Sequence, residues 1–277
     1  MTTADARPSD DPAPPVDADL LAEAVALARE AGELTLGWFR HDDLQIDRKG
    51  DGTPVTQADR AGERLIREHL GSHHGDDAIL GEEEGELAGT SGRRWIVDPI
   101  DGTKAFSHGV PTYSNLIALE DEHGTAVGVI NLPALGETVY AGRGLGCWSV
   151  DHRDGDARPA RVSSTDRLRG AYLTTCGFDY WPEPWLQGVR EAGLQMRTWG
   201  DGWGYALVAT GRVDAMVDPI AASWDLAPLP VIAAESGGRF TDHGGDPSPH
   251  RRSGVLSNGV LHDELRAVLA GPPPTEG

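Results

Sequence analysis

The stretch Trp95–Phe106, WIVDPIDGTKAF, constrains this chain more than any other. The apolar run Trp95-Ile96-Val97 reads as a buried strand, yet it leads directly into Asp98 and Asp101. A carboxylate at the end of a buried strand is costly unless something compensates it. The only basic residue beside it in sequence is Lys104. Any fold that buries this strand must therefore bring the compensation from elsewhere.

The 277 residues, 39% of them hydrophobic, suffice for one large α/β domain or two smaller lobes with a sizeable core. With 24 Lys+Arg against 44 Asp+Glu, the formal charge is -20. That charge repels nucleic acid and anionic membrane surfaces, so neither is an expected partner. Cys147 and Cys176 are too few for a disulfide scaffold or a thiolate metal cage and read as small reduced core residues. No apolar run is long enough to span a bilayer, and the N-terminus lacks a charged-then-apolar signal pattern. The expectation is a cytoplasmic enzyme or binding protein.

Residues 1–18, rich in Pro, Asp and Ala, are expected to be a disordered tail. From Asp19 apolar residues recur at helical spacing to near Trp38. A short strand at Leu44–Asp47 follows, then a turn, then a helix capped by Thr56 and running to about Leu70. Strands at Ala78–Gly81, Arg94–Val97, Leu116–Glu120, Ala126–Leu132 and Thr138–Ala141, joined mostly by short turns, predict a largely antiparallel sheet. After the polar stretch that follows residue 151 the pattern alternates strand and helix: Ala171–Thr175, Trp185–Ala192, Met196–Trp199, Tyr205–Thr210, Ala215–Val217 and a helix after Ser223. This places an N-terminal α+β lobe at 19–150 and a C-terminal α/β lobe at 151–277.

Two further acidic sites share the pattern of the first. Glu82, Glu83 and Glu84 follow a short apolar strand, and Asp225 in ASWDLAPL opens a helix. Singly, each has an ordinary reading: a solvated turn, or an acid favouring a helix N-terminus. Together, carboxylates at strand ends and a helix start are what a hard divalent cation such as Mg²⁺ requires. The missing compensation would be metal. The ten histidines show no H-E-x-x-H spacing, so zinc chemistry is not expected, and His73-His74 reads as a solvated turn.

The GEE run, WIVDPIDGTKAF, and WD within ASWDLAPLPVIAAESGG, in this order, resemble the inositol monophosphatase superfamily of Mg²⁺-dependent phosphatases. The resemblance extends from the helix before Lys49 to LSNG at Leu256–Gly259 and implies a layered α-β-α-β sandwich. It also implies that Glu82, Asp98 and the Ile100 carbonyl hold one Mg²⁺, that Asp98, Asp101 and Asp225 hold a second, and that Glu82 helps hold a third through water. The amides of Gly102 and Thr103 would receive the phosphate. Thr103 and Asp59, the latter ending a Val-Thr-x-x-Asp match, would orient and help deprotonate the attacking water.

RTWGDGWGYALVATGRVDAMVDP resembles the histidinol-phosphate phosphatase branch, through Asp201, Gly204, Tyr205 and Asp218-Pro219. Histidinol phosphate carries an ammonium and an imidazole, which Asp201 and Asp218 would recognise. The substrate is thus expected to be a small phosphate ester. Inositol phosphate, a 3′-phosphoadenosine nucleotide and fructose bisphosphate are the alternatives within the superfamily, and a non-catalytic metal-binding relative is a remote one. The resemblance also implies a homodimer. Pro228 and Pro230 depart from the pattern, where the helix after Asp225 would ordinarily continue, and they predict a kink there.

Overall fold

The computed structural model describes residues 13–50 and 52–269. Helix α1 (Ala18–Leu36) is capped by the Asp17 side chain. The expected tail lies largely outside the described residues, but Val16 belongs to the folded body: its amide donates to the Arg143 carbonyl, and its side chain packs against the α1 core. The small antiparallel pair β1 (Ile46–Arg48) and β2 (Pro54–Thr56) delivers the chain to α2 (Gln57–His73).

Eight strands then form the first sheet: β3 (Ala78–Gly81), β4 (Gly85–Leu87), β5 (Arg94–Asp101), β6 (Ser114–Asp121), β7 (Gly124–Leu132), β8 (Glu137–Gly142), β9 (Gly146–Asp151) and β10 (Ala157–Pro159). The one-turn helix α3 (Thr103–Ser107) interrupts them after β5. Every pairing in this sheet is antiparallel except β3 with β5, so the antiparallel expectation holds apart from one pair. Strand β10 lies inside the polar stretch read as a lobe division. As a short, exposed, charged edge strand it carries no apolar alternation by which to be recognised.

The second sheet has the order β12-β11-β13-β15-β14, from β11 (Tyr172–Thr174), β12 (Gln195–Arg197), β13 (Ala215–Asp218), β14 (Arg239–Thr241) and β15 (Gly254–Ser257). Its helices are α4 (Glu183–Ala192), α5 (Asp201–Ala209), α6 (Ser223–Leu226), α7 (Leu229–Ser236) and α8 (His262–Val268). Strand alternation sorts the layers. Trp95, Val97, Ile117 and Leu119 face α1 and α2, while Leu116 and Ile130 face a core shared with α5, α7 and the second sheet's Met216 and Leu256. Helices α4 and α8 cover the far face of the second sheet through Trp185, Val189 and Leu265. The α-β-α-β order is present, closed by this outer helical pair. The middle core draws on both halves of the chain.

Candidate active site

The site lies where β3 and β5 end side by side. Their parallel pairing sets Gly81 opposite Val97, which puts Glu82 beside Asp98. Beyond Asp98 the chain leaves regular register: Asp98 pairs with Leu116 and Asp101 with Ser114, so three steps on β5 match two on β6. In an unbroken strand residues three apart face opposite sides; the bulge, at a proline with no ladder donor, turns Asp101 to the side of Asp98. Gly102 then takes φ 82°, and a Cβ there would come within 2.9 Å of Asp201 Oδ2. That explains the glycine.

Asp225 comes from α6 in the other half of the chain. The Ala222 amide donates to its Oδ2 at 2.8 Å, a cap that fixes the carboxylate independently of Pro228 and Pro230. These prolines split the expected helix into α6 and α7, with Pro228 staying helical at φ -69°. Asp225 nonetheless reaches the cluster: oxygens of Asp98, Asp101 and Asp225 lie within 4.8 Å of one another.

Three carboxylates this close repel. Burial first, then the charges of Glu82, Asp101 and Asp225, push the Asp98 carboxyl well above its usual range. Burial and the acids Asp201 and Asp225 do the same to Asp101, despite bonds from Ser114 Oγ (2.7 Å) and the Gly202 amide. Burial raises Asp225 to about 7. The donor set is all oxygen, nearly dry and short of positive charge, which fits a hard divalent cation.

Glu82 stands partly aside from this trio. Lys49 Nζ lies 2.6 Å from Glu82 and 2.8 Å from Glu83, making it the cation of this corner; Lys104 is not. Sequence reading missed Lys49 because it sits in a turn 33 residues before its partner. It also missed Glu63 of α2, fully buried, which accepts from the Glu83 amide at 2.7 Å and the Glu84 amide at 2.9 Å, while Arg67 lies 2.8 Å away. The acidic triplet is therefore an anchored turn rather than a solvated one.

Asp59 sits at the third position of α2 in a capping box, its Oδ2 taking the Thr56 amide at 2.9 Å and the Thr56 hydroxyl. Its other oxygen lies 3.2 Å from Thr103 Oγ1, which is also 3.1 Å from the Ile100 carbonyl. Burial, opposed by the Thr56 bonds, raises Asp59.

The two acids of the second half differ in exposure. Asp201 opens α5 at φ 54°, a left-handed value that costs most residues about 1–3 kcal/mol, and holds its carboxylate over Gly102. Asp218 is buried, with Oδ2 accepting from Tyr205 Oη at 2.7 Å and Oδ1 facing the Cys176 amide at 3.4 Å. Each of its oxygens thus has a partner inside the protein, Tyr205 for one and the Cys176 amide for the other. Cys176 is exposed rather than in the core, whereas Cys147 is buried. Helix α5 begins four residues earlier than its apolar pattern predicts, since Gly202 and Gly204 mask its first turn. A Cβ at Gly202 would lie 2.3 Å from Ser114 Oγ. Only a bare backbone lets α5 touch Asp101.

Beside Thr103 an open cavity of about 570 Å³ is lined by Arg48, Lys104, His108, Tyr180 and Ile46 among others. Of the cavity's cations, Lys104 is near enough to Asp201 for its charge to oppose the rise that burial gives that carboxyl.

The family model that describes the inositol monophosphatase family matches residues 17–271. A histidinol-phosphatase of Mycobacterium tuberculosis is 45% identical over 258 residues, covering 91% of this chain and 98% of its own. One of Chlorobaculum parvum is 41% identical over 252 residues, covering 89% and 95%. Among solved structures, the extragenic suppressor protein suhB from Bartonella henselae superposes with a TM-score of 0.81 at 30% identity, over 91% of this chain and 98% of that one. With the bulged strand, the three clustered carboxylates and these relatives in agreement, the chain belongs to the inositol monophosphatase family.

Proposed function

We propose that this protein is a Mg²⁺-dependent phosphomonoesterase that hydrolyses L-histidinol phosphate to L-histidinol and phosphate, a step of histidine biosynthesis. The observation that carries the reading is the convergence of Asp98, Asp101 and Asp225, with the Asp201 carboxylate overhanging Gly102 at the edge of that cluster. The identity to histidinol-phosphatases over nearly the whole chain supports the substrate.

Glu82, Asp98, the Ile100 carbonyl, Asp101 and Asp225 would hold two to three Mg²⁺ ions. When bound, the ions neutralise the phosphoryl oxygens, favour ionisation of the attacking water and take up charge on the departing alkoxide. The protein positions the reactants. Asp59 Oδ1 draws the Thr103 hydroxyl proton toward itself, which leaves a lone pair of Thr103 Oγ1 to accept from the attacking water. The water's proton passes to Thr103 and that of Thr103 to Asp59, whose raised pKa makes it the better acceptor. The amides of Gly102 and Thr103 receive the phosphate. Asp201 attracts the cationic amino alcohol and so distinguishes this leaving group from a polyol. The enzyme would work in the cytoplasm as a homodimer; the exposed pair Tyr172 and Trp199, stacked around Arg197, offers a surface suited to self-association.

Phosphate release from histidinol phosphate and from inositol 1-phosphate tests the substrate. Histidinol phosphate should be preferred, and Asp201→Asn should cost that substrate about 10-fold or more in kcat/KM while barely changing p-nitrophenyl phosphate. Preference for inositol 1-phosphate in the wild type would overturn the reading. The basic cavity of Arg48, Lys104 and His108 favours a second reading, an ester with a further anionic group such as fructose bisphosphate, and including that compound separates the two.

A further inference from the structure

At the far end of α2 from Asp59, the helix carries His69 and His73, four residues apart and on one face. Their rings stack with centroids 4.3 Å apart. Glu23 of α1 reaches across, and one ligand atom from each of Glu23, His69 and His73 lies within 4.8 Å of the others. The expected solvated turn at His73-His74 is instead the last turn of α2 and its cap, built into this cluster.

Hydrogen bonds fix the roles of the atoms around the trio. His73 Nδ1 is 2.9 Å from the His69 carbonyl, an acceptor only, so this nitrogen carries the proton and Nε2 keeps its lone pair. His69 Nε2 is 2.7 Å from Glu23 Oε1. The other carboxylate oxygen is 2.9 Å from His74 Nε2. His74 in turn packs on the Trp95 ring at 5.3 Å and has Asp77 3.9 Å behind it. A carbonyl behind one imidazole and a second imidazole behind the carboxylate form the outer layer that orients ligands in metal sites.

The geometry points to a second metal site, distinct from the acid cluster, in which Glu23, His69 and His73 bind a borderline transition ion such as Zn²⁺ and clamp α1 to the end of α2. Two imidazoles and one carboxylate are a set that Zn²⁺, Co²⁺ or Ni²⁺ accepts and Mg²⁺ does not. The ion takes the place of the proton shared by His69 and Glu23, and water completes its shell. Because His73 is exposed, its ring can turn the small distance needed without disturbing the core.

Zn²⁺ titrated into the intact protein, with Mg²⁺ held at about 10 mM to compete at the acid cluster, tests this by calorimetry. One equivalent should bind to wild type and equally to Asp98→Asn. His73→Ala, a surface change that should not affect folding, should weaken binding by about 10-fold or more, and Glu23→Gln likewise. Co²⁺ at the same site should show the intense visible absorption of a four-coordinate ion, lost in His73→Ala. The proposal is overturned if wild type binds no Zn²⁺ at about 100 µM, if His73→Ala binds as wild type does, or if binding vanishes in Asp98→Asn instead. Activity toward p-nitrophenyl phosphate is not required by the test.

Discussion

Strands β3 and β5 run parallel, and buried carboxylates lie at both of their ends with opposite fates. Before β3, Asp77 is 2% exposed and fully supplied: Ser91 Oγ at 2.6 Å, Trp95 Nε1 at 3.0 Å and Arg93 Nε at 3.1 Å all point at it. Burial alone would raise it, but these donors hold its carboxyl below the ordinary range. Near the end of β5, Asp98 is equally buried at 2% exposed; the Ile100 amide donates to it at 3.0 Å, but burial and the neighbouring acids Glu82, Asp101 and Asp225 push its carboxyl up. A buried charge that the protein has compensated serves the fold. One that the protein leaves in deficit is kept for something it binds.

The sharpest way to break this comparison is to neutralise each acid in turn. Asp98→Asn should lower turnover by roughly 1,000-fold or more, yet in EDTA its Tm should equal or exceed that of wild type, because a repulsive charge is gone. Asp77→Asn should do the reverse. Activity at 25 °C changes by less than about 3-fold, while stability falls by on the order of 3 kcal/mol, or roughly 5–10 °C in Tm. Paired kinetics and thermal melts decide this; a drop in apo stability from Asp98→Asn would show that the cluster also holds the fold together.

Thr103→Ala comes next in size. Turnover should drop by about 100–10,000-fold, the range of a lost proton-transfer group, with the Mg²⁺ concentration for half-maximal rate shifting less than about 3-fold. A parallel rise in the Mg²⁺ requirement would make Thr103 part of the ion site rather than of the Asp59 dyad.

The smallest effect concerns pH. The folded-state values of Asp98, Asp101 and Asp225 are raised, so their contribution is fully present below the unfolded value of about 3.9 and is lost as pH rises through Asp225's value of about 7. Asp77, being lowered, contributes above that same unfolded value and loses its effect as pH falls through its folded one. The Tm of EDTA-treated protein should therefore fall by a few degrees between about pH 5 and 8, and about 10 mM Mg²⁺ should remove most of that slope. A flat metal-free profile would contradict the charge deficit at the cluster.

Much of the fold was legible in the sequence, for local reasons. Strand β3 was placed to the residue, and Thr56 as the cap of α2, because a period of two and a capping side chain are properties of a few neighbouring residues. Strands β4 and β10 were not anticipated; both are three exposed residues at a sheet edge, where packing imposes no alternation. The first turn of α5 was hidden by Gly202 and Gly204, whose small size answers to β5, β6 and β13 rather than to helix propensity.

The sequence by itself determined the local arrangement of Asp98 and Asp101, since WIVDPIDGT fixes a strand, a break and a glycine turn within one short run, and each acts through its own backbone. Tertiary structure decided how they are used. Lys49 reaches Glu82 across 33 residues, Asp225 joins Asp98 from the other half of the chain, and Asp201 stands over Gly102 while Asp218, of the same residue type, accepts from Tyr205. Nor did any spacing of the histidines foretell that Glu23 of α1 would complete a trio with His69 and His73. Contacts between segments distant in sequence depend on how layers pack, and the free energy of that packing is summed over the whole core rather than written in any one motif.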